Sequence, residues 1–157
     1  MRILKVRILV LVVLGLASCV FLGAGKNLVE RPFKISGDLI LTIDLTTCSP
    51  TTGVCSATRE DWGQATHVGR YTSFAIDAQV NLVTGYVSGS GIMTAANGDQ
   101  LFWQKDGDFL TITGGTGRFD NATGEFETSH PDVTITQPDP YTVVVTHPFE
   151  GSGTITY

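Results

Sequence analysis

Residues 110–126 read LTITGGTGRFDNATGEF, and the order of residue types within them sets the class of fold. A β-branched run, Thr111, Ile112 and Thr113, meets a glycine cluster at Gly114, Gly115 and Gly117. Arg118 and Phe119 follow, then the polar turn Asp120-Asn121-Ala122-Thr123, then Gly124 and a second strand-like run. β-branched side chains suit a pleated, half-buried surface, and glycine tolerates the positive φ of sharp backbone turns. The stretch therefore predicts strand, corner, turn and strand. Gly114, Gly115, Gly117 and Gly124 are its structural glycines, and Phe119 is the plug beneath the corner.

The flanking sequence repeats the theme. Over residues 35–45, Ile35, Gly37, Leu39, Leu41, Ile43 and Leu45 share one face, with Ser36, Asp38, Thr42 and Asp44 on the other. Only Ile40 breaks this period-two pattern of a half-buried strand. Residues 46–66 hold a cysteine pair, Pro50, Gly53 and the polar run Arg59-Glu60-Asp61, and read as a long loop. Residues 68–80 alternate again, with Val68, Thr72, Phe74, Ile76, Ala78 and Val80 as the expected apolar face. Gly89 and Gly91 lie inside the strand at residues 86–96, where glycine marks tight coiling. Asn97-Gly98 signals a two-residue type I′ hairpin. Residues 100–104 pair back, Lys105-Asp106-Gly107-Asp108 turns, and short strands follow at 109–113, 125–128, 132–136, 141–146 and 153–157. No amphipathic helix is visible after residue 25.

About eight short strands joined by hairpin signals favour an all-β, single closed antiparallel eight-stranded β-barrel, since closure removes exposed edges. A Greek-key sandwich is the alternative, although the Cys–Trp–Cys spacing of an immunoglobulin domain is absent.

The first residues carry an address. Arg2, Lys5 and Arg7 precede an unbroken apolar run at residues 8–16, and Leu16-Ala17-Ser18-Cys19 closes with small residues, the layout of an export signal. LASC resembles the bacterial lipobox, in which the cysteine, here Cys19, is lipidated and becomes the mature N-terminus. Cleavage near Ala24-Gly25, giving a secreted protein, and an uncleaved anchor remain open. The expected organisation is signal and start of tether at 1–25, linker at 26–34 and barrel domain at 35–157. Ten basic residues less those three leaves seven against 15 acidic ones, a net charge of about −8 after processing. An acidic domain of this kind makes a poor nucleic-acid binder, because phosphate neutralisation supplies most of that affinity. Cys48 and Cys55 enclose a turn-rich hexapeptide in a chain bound for an oxidising compartment, which predicts a local disulfide.

GGTGRFDNATGE at residues 114–125, TAANGDQL at 94–101, VGRYT at 68–72 and the terminal GSGTITY resemble the allene oxide cyclase and dirigent-like barrel group, more closely its bacterial exported members. The matches span most of residues 68–157. The resemblance implies an eight-stranded barrel with an apolar lumen; plant enzymes of the group cyclise or steer lipid or phenolic intermediates. The expectation is an exported, lipid-anchored binding or cell-envelope module holding a small hydrophobic ligand, with the membrane as partner through the anchor and no cofactor. The alternatives are an isomerase or cyclase-like enzyme on a hydrophobic lumen substrate, and a surface protein acting through residues 46–66.

No catalytic, cofactor-binding or metal constellation stands out. Gly115-Thr116-Gly117 lacks the Gly-Lys-Ser/Thr ending of a P-loop, and Asp120 stands where a dinucleotide fingerprint needs glycine. His67, His130 and His147 are far apart in sequence and read as surface or strand-end residues. Asn97-Gly98-Asp99 and Asp106-Gly107-Asp108 offer too few oxygens for calcium. Glu125 and Glu127 flank Phe126 on one face. Facing the lumen they would have raised pKa values and serve acid–base chemistry; facing solvent they are ordinary surface acids.

Overall fold

The structure is a computed structural model that describes residues 28–157. The expected export segment, with Cys19, lies outside the described residues. The strands are β1 (Glu30–Asp44), β2 (Val54–Ala65), β3 (Gly69–Ala75), β4 (Ala78–Asn81), β5 (Val87–Ala95), β6 (Gln100–Asp106), β7 (Phe109–Gly115), β8 (Thr123–Ser129), β9 (Thr134–Asp139) and β10 (Thr142–Thr156). They follow one another in space as β1-β10-β8-β7-β6-β5-β3-β2, and β2 pairs back onto β1, closing an antiparallel eight-stranded barrel. Two further strands extend the wall. β4 continues β3 between β2 and β5, and β9 continues β8 along the first part of β10.

β1 shows how the sequence makes the wall. Phe33, Ile35, Leu39, Leu41 and Ile43 alternate inward and are buried, as the period-two pattern requires. The strand starts at Glu30, earlier than the expected linker boundary, because Phe33 extends the inward row and β10 supplies a partner from Thr156 back. Gly37 and Gly63 lie directly opposite one another on β1 and β2. A Cβ on either would strike the other strand's carbonyls, those of Trp62 and Ser36, so only glycine permits this close coiling.

Three expectations change. Residues 46–66 are not one loop: a 3₁₀ turn, Leu45–Thr47, leads through the Cys48–Cys55 disulfide into the twelve-residue strand β2. β2 does alternate, but two of its inward positions are charged, which disguises the pattern. In β3 the buried residues are Tyr71 and Ser73, while Phe74, and Ile76 just after the strand, are exposed. The break between β3 and β4 inserts one residue, so inward parity switches from odd numbers to Ala78 and Val80. The 95–99 hairpin uses a three-residue loop: Gly98, at φ +88°, donates its N–H to the Ala95 carbonyl.

At the 110–126 stretch β7 runs into a 3₁₀ turn, Gly117–Phe119, and returns as β8. Gly117 has φ +60°, while Gly114, Gly115 and Gly124 do not adopt positive φ. Phe119 is fully buried, its ring 5.3 Å from that of Tyr157 in an edge-on contact. Phe119, Ala122, Phe33, Phe126 and Ile155 fill this end of the barrel with apolar side chains. The chemistry lies in the middle and at the opposite end.

Candidate functional site: a polar cluster inside the barrel

Among the described residues, the buried polar ones are Arg59, Asp61, Ser73, Lys105 and Thr128. They come from four strands. Arg59 and Asp61 are successive inward positions of β2, Ser73 an inward position of β3, Lys105 of β6 and Thr128 of β8. Arg59 Nε donates to Asp61 Oδ2 at 3.1 Å, and its guanidinium lies over the rings of Trp103 and Phe149, with Cζ 5.2 and 5.9 Å from their centroids. Trp103 Nε1 donates to Ser73 Oγ at 3.1 Å, and the indole lies over Gly91 of the intervening strand β5.

Further from the Phe119 end, Lys105 Nζ donates to Thr128 Oγ1 at 3.3 Å, and Thr128 Oγ1 donates to the Asp108 carbonyl at 2.9 Å. With its one proton so placed, the hydroxyl accepts from His130 Nε2 at 3.1 Å. This fixes His130 as the Nε2–H tautomer and leaves Nδ1 with a lone pair. The His147 ring stands edge-on to His130 at 4.7 Å between centroids, its Nδ1 donating to the Pro148 carbonyl at 3.0 Å.

Among the described residues, three buried polar atoms have no partner: Arg59 Nη1, Tyr71 Oη and His130 Nδ1. Buried polar atoms are nearly always satisfied, and each exception calls for a cause. Burial also moves the titrations. It pushes Lys105 down to about 8, with Arg59 adding repulsion, and His130 down to about 4, with Lys105 and His147 adding theirs. It raises Tyr71, helped by Asp61, and raises Asp61 against the opposing pull of Arg59. His147 is lowered, again chiefly by burial.

The residues singled out from sequence lie elsewhere. Glu125 and Glu127 point outward and are exposed, because Phe126 between them takes the inward position of β8. Gly114, Gly115, Gly117, Phe119 and Gly124 build the opposite, apolar end. His130 and His147, read as unrelated, are brought together by β8 and β10 and are half-buried. Arg59, Asp61, Ser73, Lys105 and Thr128 carried no functional reading. The signal for Arg59 and Asp61 was the i, i+2 row Cys55, Ala57, Arg59, Asp61, Gly63, Ala65, in which two charges share the face of small apolar residues. Among the described residues, no three His, Cys, Asp or Glu side chains gather closely enough to hold a metal.

Two clefts mark the outer wall. One of about 940 Å³ is bordered by Lys34, Ser36, Gln64, Glu127, Glu150 and Ser152, all on the solvent face of β1, β2, β8 and β10. The other, about 350 Å³, is bordered by Trp62, Ile40, Asp38, Asp132 and His147. His147 connects this second cleft to the buried cluster.

No protein-family model matches the chain, and no curated protein matches it. Among solved structures it is similar to a pterocarpan synthase dirigent protein, at 13% identity and a TM-score of 0.38, over 79% of this chain and 86% of that one. The closed barrel is read from the chain's own strand pairing, which defines a small antiparallel barrel with one apolar end and a charged interior.

Proposed function

We propose that the chain is an exported, lipid-anchored barrel of the bacterial cell envelope that binds one small amphiphilic molecule at the polar end of its interior. The observation that carries the binding function is the set of three buried polar atoms without a partner among the described residues, Arg59 Nη1, Tyr71 Oη and His130 Nδ1. A ligand supplies the missing partners and an apolar body for the lining. Native mass spectrometry of protein purified from its own envelope tests this: a stoichiometric small molecule is expected. Its absence, together with no thermal shift from any amphiphile in a panel of both charges, would sink the reading.

A second reading, isomerase-like chemistry on a hydrophobic substrate, has one observation in its favour. His130 is held neutral with a free Nδ1 lone pair beside Thr128 and Lys105, the arrangement of a general base. Turnover of a bound ligand that disappears in His130→Gln while binding persists is the result this reading requires.

A further inference from the structure

The cluster is not electrically balanced. Among the described residues the buried charged side chains are Arg59, Lys105 and Asp61, two cations against one carboxylate. Arg59 takes the carboxylate at 3.1 Å, and no carboxylate lies within ion-pair distance of Lys105. The groups around Lys105 correct this only in part. Burial and Arg59 on β2 act against the ammonium; the Asp108 and Asp61 carboxylates attract it from beyond ion-pair distance, but Asp108 lies in the exposed β6–β7 turn and Asp61 is engaged by Arg59, and the imidazoles of His130 and His147 carry no negative charge. Thr128 accepts one hydrogen bond from the ammonium, which leaves two of its three N–H groups without a protein acceptor. Buried charges are ordinarily paired, since an unpaired one is strongly destabilising. Water satisfies hydrogen bonds but not a surplus charge.

We propose that Arg59 Nη1 and Lys105 Nζ form a subsite for a carboxylate carried by the molecule bound in the barrel. The proposal rests on the binding function above and names the chemical class of the ligand. A carboxylate has two oxygens, one for each donor, and a single negative charge, equal to the surplus. The guanidinium is held in place before the ligand arrives, by Asp61 at Nε and by the rings of Trp103 and Phe149. The ligand's apolar body has a surface at the same end. The β9–β10 hairpin turns Val145 against the core and sets Ile135, 67% exposed, directly opposite it.

Calorimetry with phenylbutyrate, its amide and phenylbutylamine separates the possibilities on the unaltered protein. The carboxylate should bind roughly tenfold to a hundredfold more tightly than the amide, the range of a charge-assisted pair, and the amine should not bind. Lys105→Met leaves the Arg59–Asp61 pair intact. It should bring phenylbutyrate down to the affinity of the amide while raising the melting temperature of the ligand-free protein, because the surplus charge is gone. Lys105→Gln repeats the binding test if the methionine variant folds poorly. Equal affinity for acid and amide, or an undiminished preference in both variants, overturns the carboxylate subsite while leaving the binding function standing. No binding of any of the three probes, with no co-purifying molecule, overturns both.

Discussion

Arg59 and Asp61 stand two residues apart on β2, and their side chains meet at 3.1 Å inside the barrel. Alternate residues of a strand face the same way, so the strand itself builds the pair. Removing one partner strands the other's charge in the interior. Asp61→Ala should therefore lower stability by ~3–5 kcal/mol, whereas Arg59→Met combined with Asp61→Leu should fall far short of that. Urea denaturation of both variants tests the coupling; equal losses would show that the two residues do not act as a unit.

The buried titrations predict a stability profile with two sloping limbs. His130 is pushed down to about 4 from 6.5, so between those values the unfolded chain holds more protons than the folded one. Its contribution is full above pH 6.5 and is lost as the pH falls through 4. Lys105 is lowered from 10.5 to about 8, so its folded form loses the proton first and stability rises between pH 8 and 10.5. His130→Gln should flatten the acid limb and Lys105→Met the alkaline one, as read from denaturant midpoints against pH. Unaltered slopes in these variants would assign the limbs to other groups.

The Cys48–Cys55 bond joins the 3₁₀ turn after β1 to the first residues of β2. Closing so short a loop should contribute up to ~2–3 kcal/mol through the entropy of the unfolded chain. Reduction should speed amide exchange around the turn and the start of β2 and leave the Phe119 end protected. Alkylation without reductant should label neither cysteine.

The address is tested apart from the barrel. Cys19→Ala should leave an unprocessed precursor that takes up no labelled palmitate, while the barrel folds as before. Equal labelling of variant and parent would remove the lipid anchor.

What the sequence disclosed follows from how each segment divides its two faces. β1 was legible because every inward side chain from Ile35 to Ile43 is apolar or glycine. β2 was not, because Arg59 and Asp61 occupy inward positions, and charges at core positions imitate a loop. The same substitution of polar for apolar hid the site: Ser73 falls on the face opposite the expected apolar row of residues 68–80, Thr128 carried no reading of its own, and Lys105 read as the start of a turn. β3 was found with its faces reversed, since the residue inserted before β4 shifts the parity. His130 and His147 are neighbours only through the β8–β10 pairing, a long-range contact that local spacing does not contain.

The turn between β7 and β8 makes a sharper prediction, because its glycines differ in what surrounds them. A Cβ on Gly114 would come only to 3.4 Å of the Phe102 ring, an ordinary contact, so Gly114→Ala should stay within ~0.5 kcal/mol of the parent. A Cβ on Gly115 would run into the Gln100 carbonyl and lie 2.8 Å from the Phe119 Cβ, with backbone on both sides. Gly117, at φ +60°, adds backbone strain to a clash with the Asp99 carboxylate, which itself pairs with Arg118 at 3.5 Å. Gly115→Ala and Gly117→Val should each cost ~1–3 kcal/mol or more. Phe119→Ala should cost ~3–5 kcal/mol, because a fully buried ring leaves a cavity that the surrounding strands cannot close. All three lesions lie at the apolar end, away from Arg59 and Lys105, so at temperatures where the variants remain folded, phenylbutyrate affinity should be unchanged. A phosphate-binding loop predicts the reverse, intact folding with lost binding. Thermal melting with and without the carboxylate distinguishes them, and parental melting temperatures for Gly115→Ala, Gly117→Val and Phe119→Ala together would show that this corner does not hold the barrel closed.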